Sequence, residues 1–310
     1  MVADVFLVIG AGSIGQRHAR NLAALGQKVD LVPYREFDAD KVAQRTDVAG
    51  VIIATATPIR LSLVQLCASK DWPFYVEKPL GWTKEQIADI YAAAAPVSDR
   101  SMVGFMMRYH PAVRALAQLD LSDIYSFAFE IGHDVRQWRE NWSFAQSYAS
   151  GPAGGGVLLD LCHELDIAHC LFPQAAVTSA ASLDHPDFTG VDFATRISLA
   201  APLGTVAMDY LSPVSLRKGQ LRGTGQVIDL DLLAPAYARD TGAGPQITTF
   251  DFDRNDMFLD LMADFIAIAT RKPPSGNPLM PRLGDVRESC DLIADAWQAR
   301  RFTGQVEVAF

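Results

Sequence analysis

Val5-Phe6-Leu7-Val8-Ile9-Gly10-Ala11-Gly12-Ser13-Ile14-Gly15-Gln16-Arg17-His18 decides the fold. Five consecutive apolar residues, enough for a short strand buried on both faces, run directly into Gly10-x-Gly12-x-x-Gly15, after which the spacing turns helical. Glycines between a strand and a helix permit a tight turn and let backbone N–H groups approach a pyrophosphate, and the helix N-terminus adds positive partial charge. The triad alone is a weak signal; the strand before it and the helix after it supply the context that it needs.

Outward from this turn, short β-rich runs alternate with helical segments, the pattern of βαβ units around a parallel sheet. Strands are expected at 5–9, 29–33, 51–55, 74–76 and 102–105, with helices at 13–25, 59–70 and 84–95. This is an α/β, doubly wound Rossmann half. After a boundary expected near residue 121, a strand at 124–132 and a polar stretch at 133–150 lead to Gly151-Pro152-Ala153-Gly154-Gly155-Gly156, a loop, and then to one helix over 157–172. Strand candidates at 176–184, 192–200, 205–211, 216–223 and 226–232 follow one another through tight turns, which implies an open, mainly antiparallel sheet. Helices at 258–270 and 286–300 close the chain. The expected division is a Rossmann domain at 1–121 and a second α/β domain at 122–310.

Composition agrees with two ordinary domains, since 310 residues at roughly 150 per domain give two, and 49% hydrophobic with 20% charged residues excludes disorder. With 27 Lys and Arg against 36 Asp and Glu, a formal charge of −9 opposes a nucleic-acid backbone. No window reaches the roughly 18 uninterrupted apolar residues of a spanning helix, so no membrane partner is expected. Cys67, Cys162, Cys170 and Cys290 form no CxxC pair, and the first apolar run lacks a basic leader, which together point to the cytoplasm.

The nicotinamide cofactor is chosen where the second strand ends. Tyr34 and Arg35 stand there, and a guanidinium can hold the 2′-phosphate of NADP by bidentate bonds, while Glu36 could do the opposite job for NAD. The balance leans slightly to NADP. Glu77-Lys78-Pro79 follows the fourth strand, so Lys78 projects from the carboxyl edge, where ligands of open α/β sheets bind. On an unbroken helix at ~100° per residue, Asp160, His163, Glu164 and Ile167 would share one face and form an acid–base cluster. No metal site is expected, because the position where a zinc-protease helix needs its second histidine holds Ile167.

These residues together resemble the glucose-fructose oxidoreductase, inositol dehydrogenase and rhizopine-catabolism family. The resemblance runs from Gly10 to His18, through Ala54-Thr55-Ala56-Thr57-Pro58 and Glu77-Lys78-Pro79-Leu80, to the helix after Gly156 and to Arg254-Asn255-Asp256-Met257-Phe258. It implies a Rossmann domain that binds NAD or NADP through Gly10, Gly12, Ser13, Ile14, Gly15, Tyr34, Arg35, Thr55, Thr57, Pro58, Glu77 and Lys78. It further implies a sheet domain used in homodimer or homotetramer packing, and redox chemistry at a secondary alcohol or carbonyl of a sugar, amino sugar, polyol or sugar nucleotide. By the same resemblance Lys78 hydrogen-bonds the reacting oxygen and His163 exchanges its proton. Some relatives recycle the cofactor in redox-neutral glycoside cleavage or epimerisation, and a non-catalytic nucleotide-binding protein would share the turn.

The chain departs from the family pattern in three places. Asp160 and His163 are three apart instead of four, so either Asp160 orients His163 or Leu159 has taken the aspartate's place. Met106 stands where many relatives have Asn, and Ser62 where many have His. Substrate selection is expected from Arg108, Tyr109, Arg136, Trp138, Tyr148 and His163, because aromatic faces stack on sugar rings and arginines clamp carboxylates or phosphates. The tryptophans serve equally well as packing anchors of a long loop.

Overall fold

The computed structural model describes residues 4–137 and 143–308. The chain divides into two compact units, the first running up to Tyr109 and resuming at Asp253–Cys290, the second comprising His110–Phe252 and the chain from Asp291 onward. The division therefore differs from the expected cut at 121: the first unit ends twelve positions earlier and takes back a C-terminal segment. That segment returns because Tyr109 donates a 2.7 Å hydrogen bond to buried Asp264, and Arg108 donates one of 2.9 Å to Ser289.

Unit 1 holds a five-stranded parallel sheet of β1 (Val5–Ile9), β2 (Lys28–Val32), β3 (Val48–Ile53), β4 (Phe74–Val76) and β5 (Met102–Val103), in the order β2-β1-β3-β4-β5. Phe6 to Ile9 are at most 1% exposed, as the unbroken apolar run requires of a strand with neighbours on both edges. The connecting helices are α1 (Ser13–Ala24), α2 (Ala39–Ala43), α3 (Arg60–Ser69) and α4 (Lys84–Ala94). Asp38 and Thr83 cap α2 and α4 by accepting from the Lys41 and Gln86 amides.

Unit 2 begins with α5 (Pro111–Leu116) and β6 (Ile124–Gly132), and continues through α6 (Val157–Asp160) and α7 (His163–Leu171). Its sheet also contains β7 (Ala176–Asp184), β8 (Ala194–Ala200), β9 (Leu203–Asp209), β10 (Leu216–Gly223), β11 (Val227–Asp231), β12 (Ala236–Asp240), β13 (Gln246–Thr249) and β14 (Arg300–Gln305). The order is β13-β12-β11-β10-β6-β9-β8-β7-β14, antiparallel except where β6 meets β9 and β7 meets β14. Phe127, Phe129 and Ile131 of β6 lie on its buried face, and Phe127 stacks on Phe172 beyond the end of α7 with ring centroids 4.7 Å apart. The late helices are α8 (Asp256–Ala269) and α9 (Arg287–Ala299), the division between units falling within α9. Among the described residues no helix is long and apolar enough to cross a membrane.

His110 opens unit 2 with its buried ring used at both nitrogens. Nδ1 accepts from the Ala112 amide at 3.2 Å and caps α5, while Nε2 lies 3.1 Å from the Leu232 carbonyl and must donate to it. Only the neutral imidazole does both. Burial pushes its pKa down to about 4, the Leu232 bond opposing and the Arg217 charge assisting. The unfolded chain therefore takes up this proton at about pH 6.5 and the folded one only near 4, so His110 contributes stability above about pH 6.5 that is lost as pH falls through about 4. The full swing is on the order of 3 kcal/mol. Urea unfolding at pH 7 and pH 4 should show wild type losing about 2–3 kcal/mol more than His110→Asn, which keeps a capping acceptor and does not titrate. Equal losses would refute this account.

Candidate functional site

The carboxyl ends of β1, β3 and β4, three neighbouring strands of unit 1, carry most of the sequence-predicted cofactor residues. Gly10 has φ +107°, and a Cβ there would lie 2.4 Å from the Ala54 carbonyl oxygen at the end of β3. A Cβ on Gly15 would lie 1.8 Å from the Gly10 oxygen, so the first and third glycines are required by the packing of the turn itself. Gly12 differs: among the described residues nothing stands within 4 Å of the position its Cβ would take. It precedes α1, whose first turn, from Ser13 and Ile14, has no acidic side chain and no side-chain cap. A helix start leaves its first amides without intrahelical partners, so this is a cradle that a pyrophosphate fits and a Cβ would fill. Thr55, just past β3, holds a buried hydroxyl with no partner among the described residues. Thr57 and Pro58 form the 3-10 turn Thr57–Ile59 that leads into α3.

After β2, Tyr34, Arg35 and Glu36 make a 3-10 turn, with Tyr34 stacked on Phe37. Arg35 and Glu36, the two opposed candidates, are well exposed and bond each other at 3.3 Å.

Glu77 points inward. His18 Nε2 lies 2.7 Å and the Tyr75 hydroxyl 2.9 Å from its Oε1. Burial pushes this carboxyl up, but the His18 bond and the charges of His18 and Lys78 outweigh it and hold the group below the usual carboxylate range. Lys78, half-buried, follows at the strand end, and its peptide bond to Pro79 is cis. The backbone here is gripped by buried Arg60, which donates to the carbonyls of Thr55, Lys78 and Pro79. Arg60 escapes a sequence reading because an arginine at the start of a helix ordinarily looks solvated.

Arg108 and Tyr109, expected to meet substrate, are 5% and 2% exposed within unit 1. Their polar groups bind Ser289, the Leu279 carbonyl and Asp264, and burial with the Asp264 charge pushes the Tyr109 hydroxyl far up. Both side chains are taken up in packing.

In unit 2 the glycine loop is pinned by Asp192, whose carbonyl accepts from the Val157 amide and whose Oδ2 accepts from the Leu158 amide, each at 2.8 Å. Gly156, at φ +91°, leaves room for Oδ1, which also pairs with Arg300 at the start of β14. The helix expected over 157–172 is broken after Asp160, with Leu161 and Cys162 between α6 and α7. Asp160 and His163 therefore lie on different helices, and the shared face expected of a continuous one does not form. Asp160 instead accepts from the Tyr148 hydroxyl at 2.6 Å and from the buried Tyr210 hydroxyl at 3.0 Å. His163, buried, is the first residue of α7, and Glu164 beside it accepts a 2.6 Å bond from Arg217.

Arg136 forms a bidentate pair with Asp134, both contacts 2.8 Å, and its hydrogen bonds outweigh burial in lowering the Asp134 carboxyl's pKa. Tyr148 is 64% exposed although bonded to Asp160. Phe144 anchors the same loop between the rings of Phe188 and Phe193, each 5.0 Å away. Trp138 lies outside the described residues. Among the described residues no group of three His, Cys, Asp or Glu could hold a metal ion.

No protein-family model matches the chain. Inositol 2-dehydrogenase of Acidothermus cellulolyticus is 32% identical over 129 residues, 35% of this chain and 38% of the relative. Inositol 2-dehydrogenase of Klebsiella pneumoniae subsp. pneumoniae is 26% identical over 224 residues, 61% of this chain and 63% of the relative. The match thus spans less than two thirds of either relative's length. Among solved structures, a levoglucosan dehydrogenase in complex with NADH superposes with a TM-score of 0.78 at 17% identity, over 96% of this chain and 97% of that one, a likeness of fold.

Proposed function

We propose that this member of the glucose-fructose oxidoreductase, inositol dehydrogenase and rhizopine-catabolism family is an NAD(P)-dependent dehydrogenase acting on a secondary alcohol or carbonyl of a sugar, polyol or sugar derivative. One observation carries the reading: the open space at Gly12, the Thr55 hydroxyl, buried and unpartnered among the described residues, and the half-buried Lys78 emerge from the carboxyl ends of three adjacent parallel strands. The dehydrogenase relatives support it.

Bound NAD(P) supplies the hydride acceptor in oxidation and the donor in reduction. The chain supplies the rest. The amides at the start of α1 bind the pyrophosphate, and the space at Gly12 admits it. The Lys78 ammonium donates to the substrate oxygen and stabilises the negative charge that grows there as the hydroxyl proton leaves in oxidation or as the carbonyl carbon is reduced in the reverse direction. His163 takes the hydroxyl proton during oxidation and returns it during reduction. Of the two nucleotides, NADP is favoured by Arg35 alone, against its neighbour Glu36.

The test is reduced-nicotinamide absorbance on mixing the protein with NAD or NADP and a panel of inositols, sugars, amino sugars and sugar nucleotides. Net accumulation of reduced cofactor with at least one member is expected. Substrate conversion without any net change of cofactor would replace the reading by the redox-neutral one.

A further inference from the structure

We infer that His18, acting through Glu77, is the positioning residue of Lys78, and that it ties the helix beginning at the phosphate turn to the strand end that carries the reacting-oxygen donor. The role of Lys78 rests on the dehydrogenase reading above; the tie rests on the geometry of unit 1 alone.

Three facts converge on Glu77. Its amide donates to the Ile53 carbonyl at 3.0 Å, so its backbone is fixed against β3. Its carboxylate, an acceptor only, accepts hydrogen bonds from His18 Nε2 at 2.7 Å and from the Tyr75 hydroxyl at 2.9 Å on the same oxygen. Gly104 leaves space for this arrangement, since a Cβ there would lie 2.6 Å from the Tyr75 hydroxyl and 3.1 Å from Glu77 Oε2. The imidazole is itself confined, fully buried, with the Tyr75 and Phe258 rings 4.9 and 6.3 Å away. Lys78 is the next residue, and Arg60 holds its carbonyl from the other side. Its Cα thus sits between two buried anchors, which leaves the side chain only its own rotamers in which to find the substrate oxygen.

A buried polar pair is a poor device for stability, because apolar residues of the same volume often serve as well. It is a good device for fixing a backbone, because an unpaired buried carboxylate is costly and cannot drift from its donors. His18 lies on α1 itself, so displacement of the helix start and displacement of Lys78 are mechanically linked.

The experiment compares wild type, His18→Leu and His18→Gln by steady-state kinetics, by NADH fluorescence titration and by competitive acetylation with a water-soluble succinimidyl ester. The acetylation readout is the ratio of Lys78 to Lys84 modification in one digest, Lys84 being an exposed reference on α4. His18→Leu, which removes the donor and keeps the bulk, should lower kcat by about ten- to a hundredfold with KM and NADH affinity within about threefold. It should also raise the acetylation ratio by at least about threefold. His18→Gln, which offers an amide donor in place of Nε2, should recover most of both. An unchanged ratio in His18→Leu, or His18→Gln behaving as His18→Leu, overturns the inference. If His18→Leu fails to unfold cooperatively, Glu77→Gln replaces it, with a ratio at least about twofold above wild type expected and an unchanged ratio again overturning. Absence of turnover in wild type counts against the dehydrogenase reading, while the acetylation arm still judges the tie.

Discussion

Replacing Lys78 by methionine is expected to lower kcat by about a hundred- to ten-thousandfold and to leave NADH binding within about threefold of wild type. The side chain is half-buried at the carboxyl end of β4, so a methionine of similar length fits the same space and removes only the ammonium. The backbone on either side keeps the hydrogen bonds of Glu77 with His18 and of Arg60 with the carbonyls, while the Glu77 carboxylate loses the Lys78 charge beside it. What is lost is a charged donor at an oxygen whose negative charge grows in the transition state, the kind of loss that falls on kcat. Initial rates and a fluorescence titration on the same preparation separate the outcomes. A variant that keeps full turnover removes Lys78 from the chemistry, and one that loses NADH affinity and turnover together makes it a cofactor ligand.

How much of this was legible in the chain follows from where the information lies. β1 and β4 match their expected ends because continuous apolar runs mark strands buried on both faces. β12, β13 and β14 do not announce themselves: Ala-Tyr-Ala-Arg-Asp, Gln-Ile-Thr-Thr and Arg-Arg-Phe-Thr-Gly-Gln are half-exposed or exposed strands near the sheet edges, with no apolar alternation to read. The break between α6 and α7 is equally silent, because apolar residues run straight through Leu161 and Cys162.

The candidate site divides the same way. The glycine turn and Glu77-Lys78-Pro79 are local patterns at strand ends, so they can be read from neighbours in sequence. His18 and Glu77 are 59 positions apart, Tyr210 and Asp160 are 50 apart, and Asp192 and Arg300 are 108 apart. Each of these looks, alone, like an ordinary polar residue, and only folding reveals its partner. Arg108 fails in the opposite direction: an arginine after the last strand looks poised for a ligand, yet it is consumed by Ser289, 181 positions away.

The phosphate turn offers a sharper test, because its glycines are required for different reasons. Gly15→Ala places a methyl group 1.8 Å from the Gly10 carbonyl oxygen, and that oxygen belongs to backbone packed against Ala54. No rotamer change relieves such a clash, so the turn must open and the variant should lose at least about 3 kcal/mol of stability. Gly12→Ala meets nothing among the described residues within 4 Å and has an extended backbone, φ −68° and ψ −179°, that alanine adopts freely. Its unfolding free energy should stay within about 1 kcal/mol of wild type, the range of a Gly-to-Ala change at a helix start. NADH affinity should nevertheless fall by about a hundredfold, or about 3 kcal/mol, because the methyl group occupies the volume through which the backbone meets the pyrophosphate. Urea unfolding without nucleotide and fluorescence titration with it read the two effects separately. Unchanged NADH affinity in a stable Gly12→Ala protein would mean that the open space at Gly12 is not where the diphosphate lies, and with it the cofactor reading of the turn would fail.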